Sequence, residues 1–236
     1  MRRAVVIGGG GIGSALVRRL VDDGCHDEVY ALTRRPPAEL EGGPVRHGRI
    51  DVADPASIAA AAGAVGGPLD LVIVATGLLH ERDRRPERSL ADLDADWLTR
   101  TFQVNAIGPA LVLRQFAPLL ATDRRAAFAV LSARVGSISD NRLGGWYGYR
   151  ASKAALNMIV RTAAIELART RPEAICVGLH PGTVDTELSR PFQRAVPPER
   201  LFTAAFAADR VLAVLSGLAP ETTGRCFAWD GKPIAP

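Results

Sequence analysis

The stretch that decides the fold lies near the amino terminus and reads Ala4-Val5-Val6-Ile7-Gly8-Gly9-Gly10-Gly11-Ile12-Gly13. Its first four residues are apolar and mostly β-branched, which favours a buried strand. The glycines let the backbone turn sharply and approach a pyrophosphate, and the helical pattern from 13 to 23 would aim its N-terminal amides at that group. A glycine-rich turn alone is weak evidence, but the strand before it and the helix after it are what a dinucleotide site requires. The candidate contacts are Gly8, Gly10, Ile12 and Gly13.

The rest of the chain repeats this alternation of apolar runs and amphipathic stretches. Strands are predicted at 4–7, 28–32, 45–50, 69–75, 126–132, 174–179 and 225–229. Helices are predicted at 13–23, 55–62, 92–120, 147–169 and 205–216, with Asp54 as the N-cap of the second. Strands separated by helices predict one doubly wound Rossmann-type α/β domain over 1–236, with a mainly parallel seven-stranded sheet and helices on both faces. The proline-rich segment around 186–204 is interpreted as a substrate-loop insertion.

Composition narrows the classes of function. Hydrophobic residues make up 47% of the chain and charged residues 23%, as in globular proteins, and no apolar run is long enough to span a membrane. The start of the chain does not resemble a signal peptide, and three isolated cysteines favour reduced thiols, so we expect a cytoplasmic protein. The net charge is +4, and the densest charged run, 80–88, mixes acids with arginines. That mixture favours a solvated loop over a nucleic-acid site. No cluster predicts a metal.

The ends of the second and third strands bear on which dinucleotide would bind. The second strand ends in Thr33-Arg34-Arg35, where an acid would suit the ribose hydroxyls of NAD and an arginine suits the 2′-phosphate of NADP. We therefore favour NADP, with Arg34 as its contact, although either arginine could simply be solvated. Asp51 and Val52 close the third strand, where they could meet the adenine. Asp51 could equally cap the following helix.

A second informative pair is Tyr149 and Lys153. The chain has only two lysines against 27 arginines, so a lysine here suggests that a guanidinium would not serve. Residues four apart share one face of a helix. An ammonium beside a phenol would lower the tyrosine pKa and make it a proton donor near neutral pH. A surface tyrosine and lysine one turn apart are the alternative.

Together with Asn105 and His180-Pro181-Gly182-Thr183, these motifs give the chain a specific resemblance. It resembles the short-chain dehydrogenase/reductase family over essentially its whole length. It is most similar to the C-factor-type carbonyl reductase-like branch, through Gly136-Ser137-Ile138 and the run from Gly144 to Asn157. The joint occurrence of the motifs in the expected order is far more specific than any one of them.

The resemblance implies roles for these residues. The tyrosine would exchange the substrate proton, and the lysine would lower the tyrosine pKa and hold the nicotinamide ribose. An asparagine of the preceding helix, here Asn105, would organise a water-mediated proton relay. The turn after the sixth strand would orient the carboxamide, and the turn after the fourth would contact the cofactor. Those two turns supply Pro181, Gly182, Thr183 and Thr186, and Ala75, Thr76 and Gly77.

Three features depart from the family pattern. The glycine turn is one residue shorter than usual, with Ile7 in place of a threonine. Val74-Ala75-Thr76-Gly77 stands where the family has Asn-Asn-Ala-Gly, which makes Thr76 a candidate for the missing hydrogen bonds. The fifth strand ends Leu131-Ser132-Ala133, whereas the family usually has two serines and uses the second. By strand alternation Ser132 should point away from the site. We therefore expect Ser137, twelve residues before Tyr149, to orient the substrate, with Ser132 as the alternative.

These observations predict an NADP(H)-dependent oxidoreductase that transfers hydride between nicotinamide and a small carbonyl or alcohol substrate. The altered motifs leave open a second function, a cofactor-binding regulatory or signalling protein with little or no turnover. The resemblance also implies a homodimer or homotetramer. Arg190 and Arg194 could face a polar substrate group or only water. The candidates for an apolar substrate wall are Leu78, Leu79, Trp146, Pro191, Phe192 and Phe202.

Overall fold

A seven-stranded parallel sheet forms the centre of the protein. The structure, a computed structural model, describes residues 1–36 and 45–236. The sheet strands are β1 (Arg3–Ile7), β2 (Glu28–Thr33), β3 (Val45–Arg49), β4 (Leu71–Val74), β5 (Ala126–Leu131), β6 (Ala174–His180) and, after two short strands described below, β9 (Cys226–Ala228). Their order is β3-β2-β1-β4-β5-β6-β9, and every neighbouring pair is parallel. The doubly wound Rossmann-type fold predicted from the sequence is confirmed.

Helices cover both faces of this sheet. They are α1 (Gly11–Asp22), α2 (Pro55–Val65), α3 (Ala95–Phe102), α4 (Gly108–Phe116), α5 (Tyr147–Leu167) and α6 (Ala204–Gly217). Side chains of β5 alternate between two cores, with Phe128 on one side and Leu131 on the other. The first core packs the sheet against α2, α4 and α5, and the second packs it against α1 and α6. This alternation is the expected pattern for a strand buried on both faces.

Two details differ from the expected elements. The helix predicted over 92–120 begins at Ala95, because Asp94 caps it by accepting from the Trp97 amide at 2.9 Å. It is interrupted by a π-helical turn at Gln103–Ile107 before α4 continues. Two short strands, β7 (Thr183–Val184) just before the expected loop insertion and β8 (Leu201–Phe202) within it, pair in parallel as a separate two-stranded sheet. This pairing holds the far end of the insertion next to its start.

Parallel strands place their carboxyl ends along one edge, which is where open α/β sheets bind ligands. At this edge the order reverses between β1 and β4, since β2 and β3 lie to one side and β5 and β6 to the other. The loops that follow β1, β4, β5 and β6 therefore meet there. None of the helices in the described ranges has the length and apolarity needed to cross a membrane.

Candidate active site

The glycine turn after β1 packs its backbone against the end of β4. Gly8 has a φ of +128°, a conformation that side chains disfavour, and a Cβ there would lie 2.9 Å from the Ala75 carbonyl carbon and oxygen. A Cβ on Gly13 would overlap the carbonyl oxygen of Gly8. Gly10 has open space around it and precedes the first turn of α1. The turn therefore leaves the amides at the start of α1 free to approach a ligand.

A cavity of about 450 Å³, the glycine cavity, opens above this turn. Two hydroxyls in its wall, Thr33 Oγ1 and Thr76 Oγ1, are buried without a hydrogen-bond partner in the part of the chain that the structure describes. Asp51 lines the cavity and accepts from the Ala53 amide at 2.9 Å, but it does not cap the following helix, since Asp54 is the N-cap of α2. The predicted cofactor residues that line it are Gly8, Gly10, Arg34, Asp51, Val52, Ala75, Thr76 and Gly77.

A second cavity of about 260 Å³, the tyrosine cavity, adjoins the first. The two share Ala75, Thr76 and Gly77 at the end of β4, and Leu188 on the loop after β7. An elongated ligand could therefore lie across both. The predicted residues that line the tyrosine cavity are Ile12, Ala75, Thr76, Gly77, Tyr149, Lys153, Pro181, Gly182, Thr183 and Thr186.

Tyr149 and Lys153 lie side by side in this cavity, as the helix spacing predicted. Both are buried, Lys153 Nζ lies 5.8 Å from the centroid of the Tyr149 ring, and it donates to the Leu131 carbonyl at 2.8 Å. The expected lowering of the tyrosine pKa is not what this structure gives. Burial raises the pKa of Tyr149 to about 12, and burial also lowers the pKa of Lys153 to about 8. Loss of hydration on burial is the main cause of both pKa shifts.

Asn105 lies behind the cavity wall, in the π-helical turn between α3 and α4. It is fully buried and holds Leu78 by two bonds, with Oδ1 accepting from the amide at 2.7 Å and Nδ2 donating to the carbonyl at 2.8 Å. Nδ2 also lies 3.1 Å from Ser152 Oγ, one residue before Lys153. A Cβ on Gly77 would lie 4.0 Å from both Asn105 Oδ1 and Lys153 Nζ. Asn105 therefore links the end of β4 to α5 beside the lysine.

The two serines considered for orienting the substrate, Ser137 and Ser132, occupy different positions. Ser137 is buried outside the tyrosine cavity, where its Oγ donates to the Pro236 carbonyl at 3.4 Å and accepts from the Asp140 amide at 3.1 Å. The 3₁₀ turn Arg134–Gly136 turns the chain away from the cavity before Ser137 is reached. Ser132 belongs to the cavity wall, but its hydroxyl donates to Asn157 Oδ1 at 2.6 Å, and Asn157 does not line this cavity. The hydroxyl therefore points away from the site, as strand alternation predicted.

The apolar wall of the tyrosine cavity contains three of the six predicted residues, Leu79, Trp146 and Phe192. Trp146 has a φ of 52°, the left-handed conformation that non-glycine residues rarely adopt, and its ring lies 5.0 Å from Phe192 and 6.2 Å from Tyr149. The other three lie elsewhere. Leu78 lines the glycine cavity, Pro191 lines a separate pocket, and Phe202 packs on Trp229 at 4.7 Å.

Sequence reasoning missed several residues that shape the site. The Leu131 carbonyl and Thr33 are examples, since neither type of group carries a sequence signal. Glu87 is another. Its carboxylate is buried, and Oε2 accepts from the Gly148 amide at 3.2 Å in the first turn of α5. Glu87 and Gly148 are 61 residues apart in the sequence, so only the fold shows that the two meet.

Comparison with known proteins identifies the family. A family model described as short chain dehydrogenase matches residues 2–196. The chain belongs to the short-chain dehydrogenase family. A relative from Rhodococcus sp. (strain AD45), 1-hydroxy-2-glutathionyl-2-methyl-3-butene dehydrogenase, is 32% identical over 238 residues, which cover 98% of each chain. The C-signal of Myxococcus xanthus is 37% identical over 147 residues, 62% of this chain and 82% of that protein.

Among solved structures, this short-chain dehydrogenase is similar to the NADPH-bound carbonyl reductase from chicken fatty liver. The TM-score is 0.87 at 27% sequence identity, over 100% of this chain and 94% of the other. The protein is thus an NAD(P)-dependent dehydrogenase/reductase. This agrees with the family and fold predicted from the sequence.

Proposed function

We propose that the protein is an NADP(H)-dependent oxidoreductase acting on a small carbonyl or alcohol substrate. The observation that carries the proposal is the meeting of the two cavities at Ala75, Thr76 and Gly77, directly beside Tyr149 and Lys153. A dinucleotide bound along the glycine turn would supply or accept hydride at that junction. The substrate would then lie against Tyr149 in the apolar part of the tyrosine cavity.

The residues present fit such a cofactor. The glycine turn and the start of α1 suit a pyrophosphate, and the free hydroxyls of Thr33 and Thr76 offer hydrogen bonds that no described residue takes up. Asp51 and Val52 suit the adenine end, and Lys153 suits the nicotinamide ribose. The turn after β6 adds Pro181, Gly182, Thr183 and Thr186 beside the nicotinamide.

Within this proposal Tyr149 donates its phenolic proton to the carbonyl oxygen during reduction and takes it back during oxidation. With a pKa of about 12 the phenol is fully protonated at neutral pH, as a proton donor must be. Lys153, whose pKa is lowered to about 8, is mostly charged at neutral pH and favours the phenolate that remains. Asn105 holds the wall beside Lys153 and would organise the relay that returns a proton to Tyr149.

The preference for NADP over NAD rests on Arg34. It is exposed at the end of β2 and lines the glycine cavity, where its guanidinium could pair with a 2′-phosphate. Replacing Arg34 with Gln should weaken NADPH binding by about tenfold or more and leave NADH binding nearly unchanged. Titration calorimetry with both cofactors measures this. Arg35→Gln is the matched control, and equal effects on both cofactors would contradict the assignment.

A second candidate function is that of a cofactor-binding regulatory or signalling protein. Two observations favour it. Ala133 occupies the place of the family's second serine, and one relative is named C-signal. The buried Tyr149 and Lys153 support the enzyme instead. Assays with NADPH across a panel of aldehydes and ketones distinguish the two. We expect turnover, whereas tight NADPH binding without turnover would favour the second function.

The remaining expectations concern the substrate, the oligomeric state and the subcellular location. The relative from Rhodococcus is named for an alcohol that carries a glutathionyl group, which supports an alcohol or carbonyl substrate here.

A homodimer or homotetramer is supported by exposed apolar residues on the long helices, such as Met158 and Ile165 on α5. Phe116 on α4 and Leu156 on α5 are instead buried inside the monomer. Three free cysteines are consistent with the cytoplasm.

A further inference from the structure

A third pocket, the arginine pocket, lies next to the tyrosine cavity. Its volume is about 420 Å³, and its wall consists of His80, Glu81, Arg82, Arg85, Pro191 and Phe192. The ring of Phe192 belongs to both walls, so the two spaces adjoin across one side chain. No step of the proposed chemistry uses this pocket.

The pocket carries uncompensated positive charge. Its one acid, Glu81, is paired with Arg100 at 3.1 Å, and the neighbouring Arg84 is paired with Asp94 at 3.5 Å. Arg82 and Arg85 have no carboxylate within 4.0 Å among residues 1–36 and 45–236. Two guanidinium groups that have no carboxylate partner among the described residues lie in one concave wall, an arrangement that suits an anion.

Backbone hydrogen bonds hold the two arginines in place. The amide of Glu81 donates to the Arg84 carbonyl at 3.0 Å, and the amide of Arg84 donates to the Glu81 carbonyl at 3.2 Å. This closed turn carries Arg82 and leads directly to Arg85. His80 on the near side is held by a 3.1 Å hydrogen bond between its Nε2 and the Glu187 carbonyl oxygen. The fold therefore fixes the backbone that carries these two arginines.

A row of aromatic rings connects this charge with the proposed proton donor. Ring centroids are separated by 6.2 Å from Tyr149 to Trp146, 5.0 Å from Trp146 to Phe192, and 5.8 Å from Phe192 to His80. The path from Tyr149 to Phe192 is thus apolar, and the imidazole of His80 and the two guanidinium groups lie beyond it. Such a surface matches an elongated apolar molecule with an anionic terminus.

We propose that the arginine pocket binds a carboxylate at the far end of the substrate, so that the preferred substrates are apolar ketones, aldehydes or alcohols with a terminal carboxylate. This rests on the proposed function and names its substrate class. Arg82 and Arg85 contact the carboxylate, while Trp146 and Phe192 contact the apolar spacer. The reacting carbonyl lies beside Tyr149.

The first test compares 5-(4-acetylphenyl)pentanoate with its methyl ester, which differ only in the charge at the end. The wild-type protein should have a lower KM for the acid. In the double variant Arg82→Gln/Arg85→Gln, the ratio of kcat/KM for the acid to that for the ester should fall about tenfold, through KM. Arg88→Gln, an exposed arginine of the same segment that does not line the pocket, is the matched control and should keep the ratio.

The second test measures binding without turnover, by titrating 5-phenylpentanoate into the protein saturated with NADP. Binding that the double variant loses and Arg88→Gln retains supports the pocket, even if no ketone is ever reduced. If such binding is seen and no ketone is reduced, the proposed function is wrong and the arginine pocket is still supported. If the wild type and the double variant both reduce the ester and the acid with equal kcat/KM, the arginine pocket does not bind the substrate carboxylate. The proposed function would still stand. Equal binding of 5-phenylpentanoate to all three proteins also overturns the pocket.

Discussion

At the scale of single residues, Ala133 is the most informative departure from the family. Its methyl group lies in the wall of the tyrosine cavity, in one apolar cluster with Tyr149 and Leu79. The Ser132 hydroxyl donates to Asn157 Oδ1, and the Ser137 hydroxyl accepts from the Asp140 amide. The reacting oxygen would therefore receive its main hydrogen bond from Tyr149 alone.

Restoring the missing hydroxyl should accelerate the reaction. The change Ala133→Ser adds a donor to the cavity wall, and removal of a comparable donor costs other enzymes about a hundredfold or more in kcat. We expect kcat for ketone reduction to rise about tenfold, with NADPH affinity unchanged. Steady-state kinetics measure it, with Ala154→Ser on α5 as the control. A fall or no change would mean that the cavity already supplies a second donor.

At the scale of elements, the start of α5 sets the position of the proposed proton donor. Glu87 holds this end from outside the helix, because its carboxylate accepts from the Gly148 amide at 3.2 Å and its carbonyl accepts from the Trp146 amide at 2.5 Å. A carboxylate at a helix N-terminus satisfies free amides and interacts favourably with the helix dipole.

Replacing Glu87 with Ala should destabilise the protein by about 2 kcal/mol, because the change leaves a buried amide without its acceptor and opens a cavity. Urea denaturation followed by circular dichroism measures the free energy of unfolding. The control is Glu166→Ala, an exposed glutamate of the same helix, which should change that free energy by about 0.5 kcal/mol or less. If both variants unfold at the same urea concentration, Glu87 does not cap the helix.

The elements also show which parts of the site could be predicted. The glycine turn and the Tyr149/Lys153 pair are local patterns, and the fold places them as their spacing implied. The position of Ser137 could not be predicted from its spacing to Tyr149, since the turn at Arg134–Gly136 redirects the chain. The direction of the Tyr149 pKa shift could not be predicted from the sequence either, because it depends on how deeply the whole fold buries the phenol.

At the scale of the whole molecule, the partial burial of a histidine couples stability to pH. Burial lowers the pKa of His180 to about 4 from an ordinary value of 6.5. Between these values the unfolded chain binds a proton that the folded protein does not, so stability falls as pH drops from about 6.5 to about 4. The full loss from this one group is about 3 kcal/mol.

The variant His180→Asn removes this titration. We expect the free energy of unfolding of the wild-type protein to fall more steeply between pH 6.5 and pH 4 than that of the variant. Denaturant titrations at four or five pH values across this window measure both slopes. Parallel curves for the two proteins would show that His180 takes up its proton equally in the folded and unfolded states.

The proton donor itself is tested most directly by the change Tyr149→Phe, compared with Tyr147→Phe two residues earlier on the same helix. Single-turnover reduction of a ketone is measured together with NADPH affinity. We predict that Tyr149→Phe slows reduction at least about a hundredfold while NADPH binds nearly as well as before, and that Tyr147→Phe changes neither. Reduction at the wild-type rate in the Tyr149→Phe protein would contradict the account.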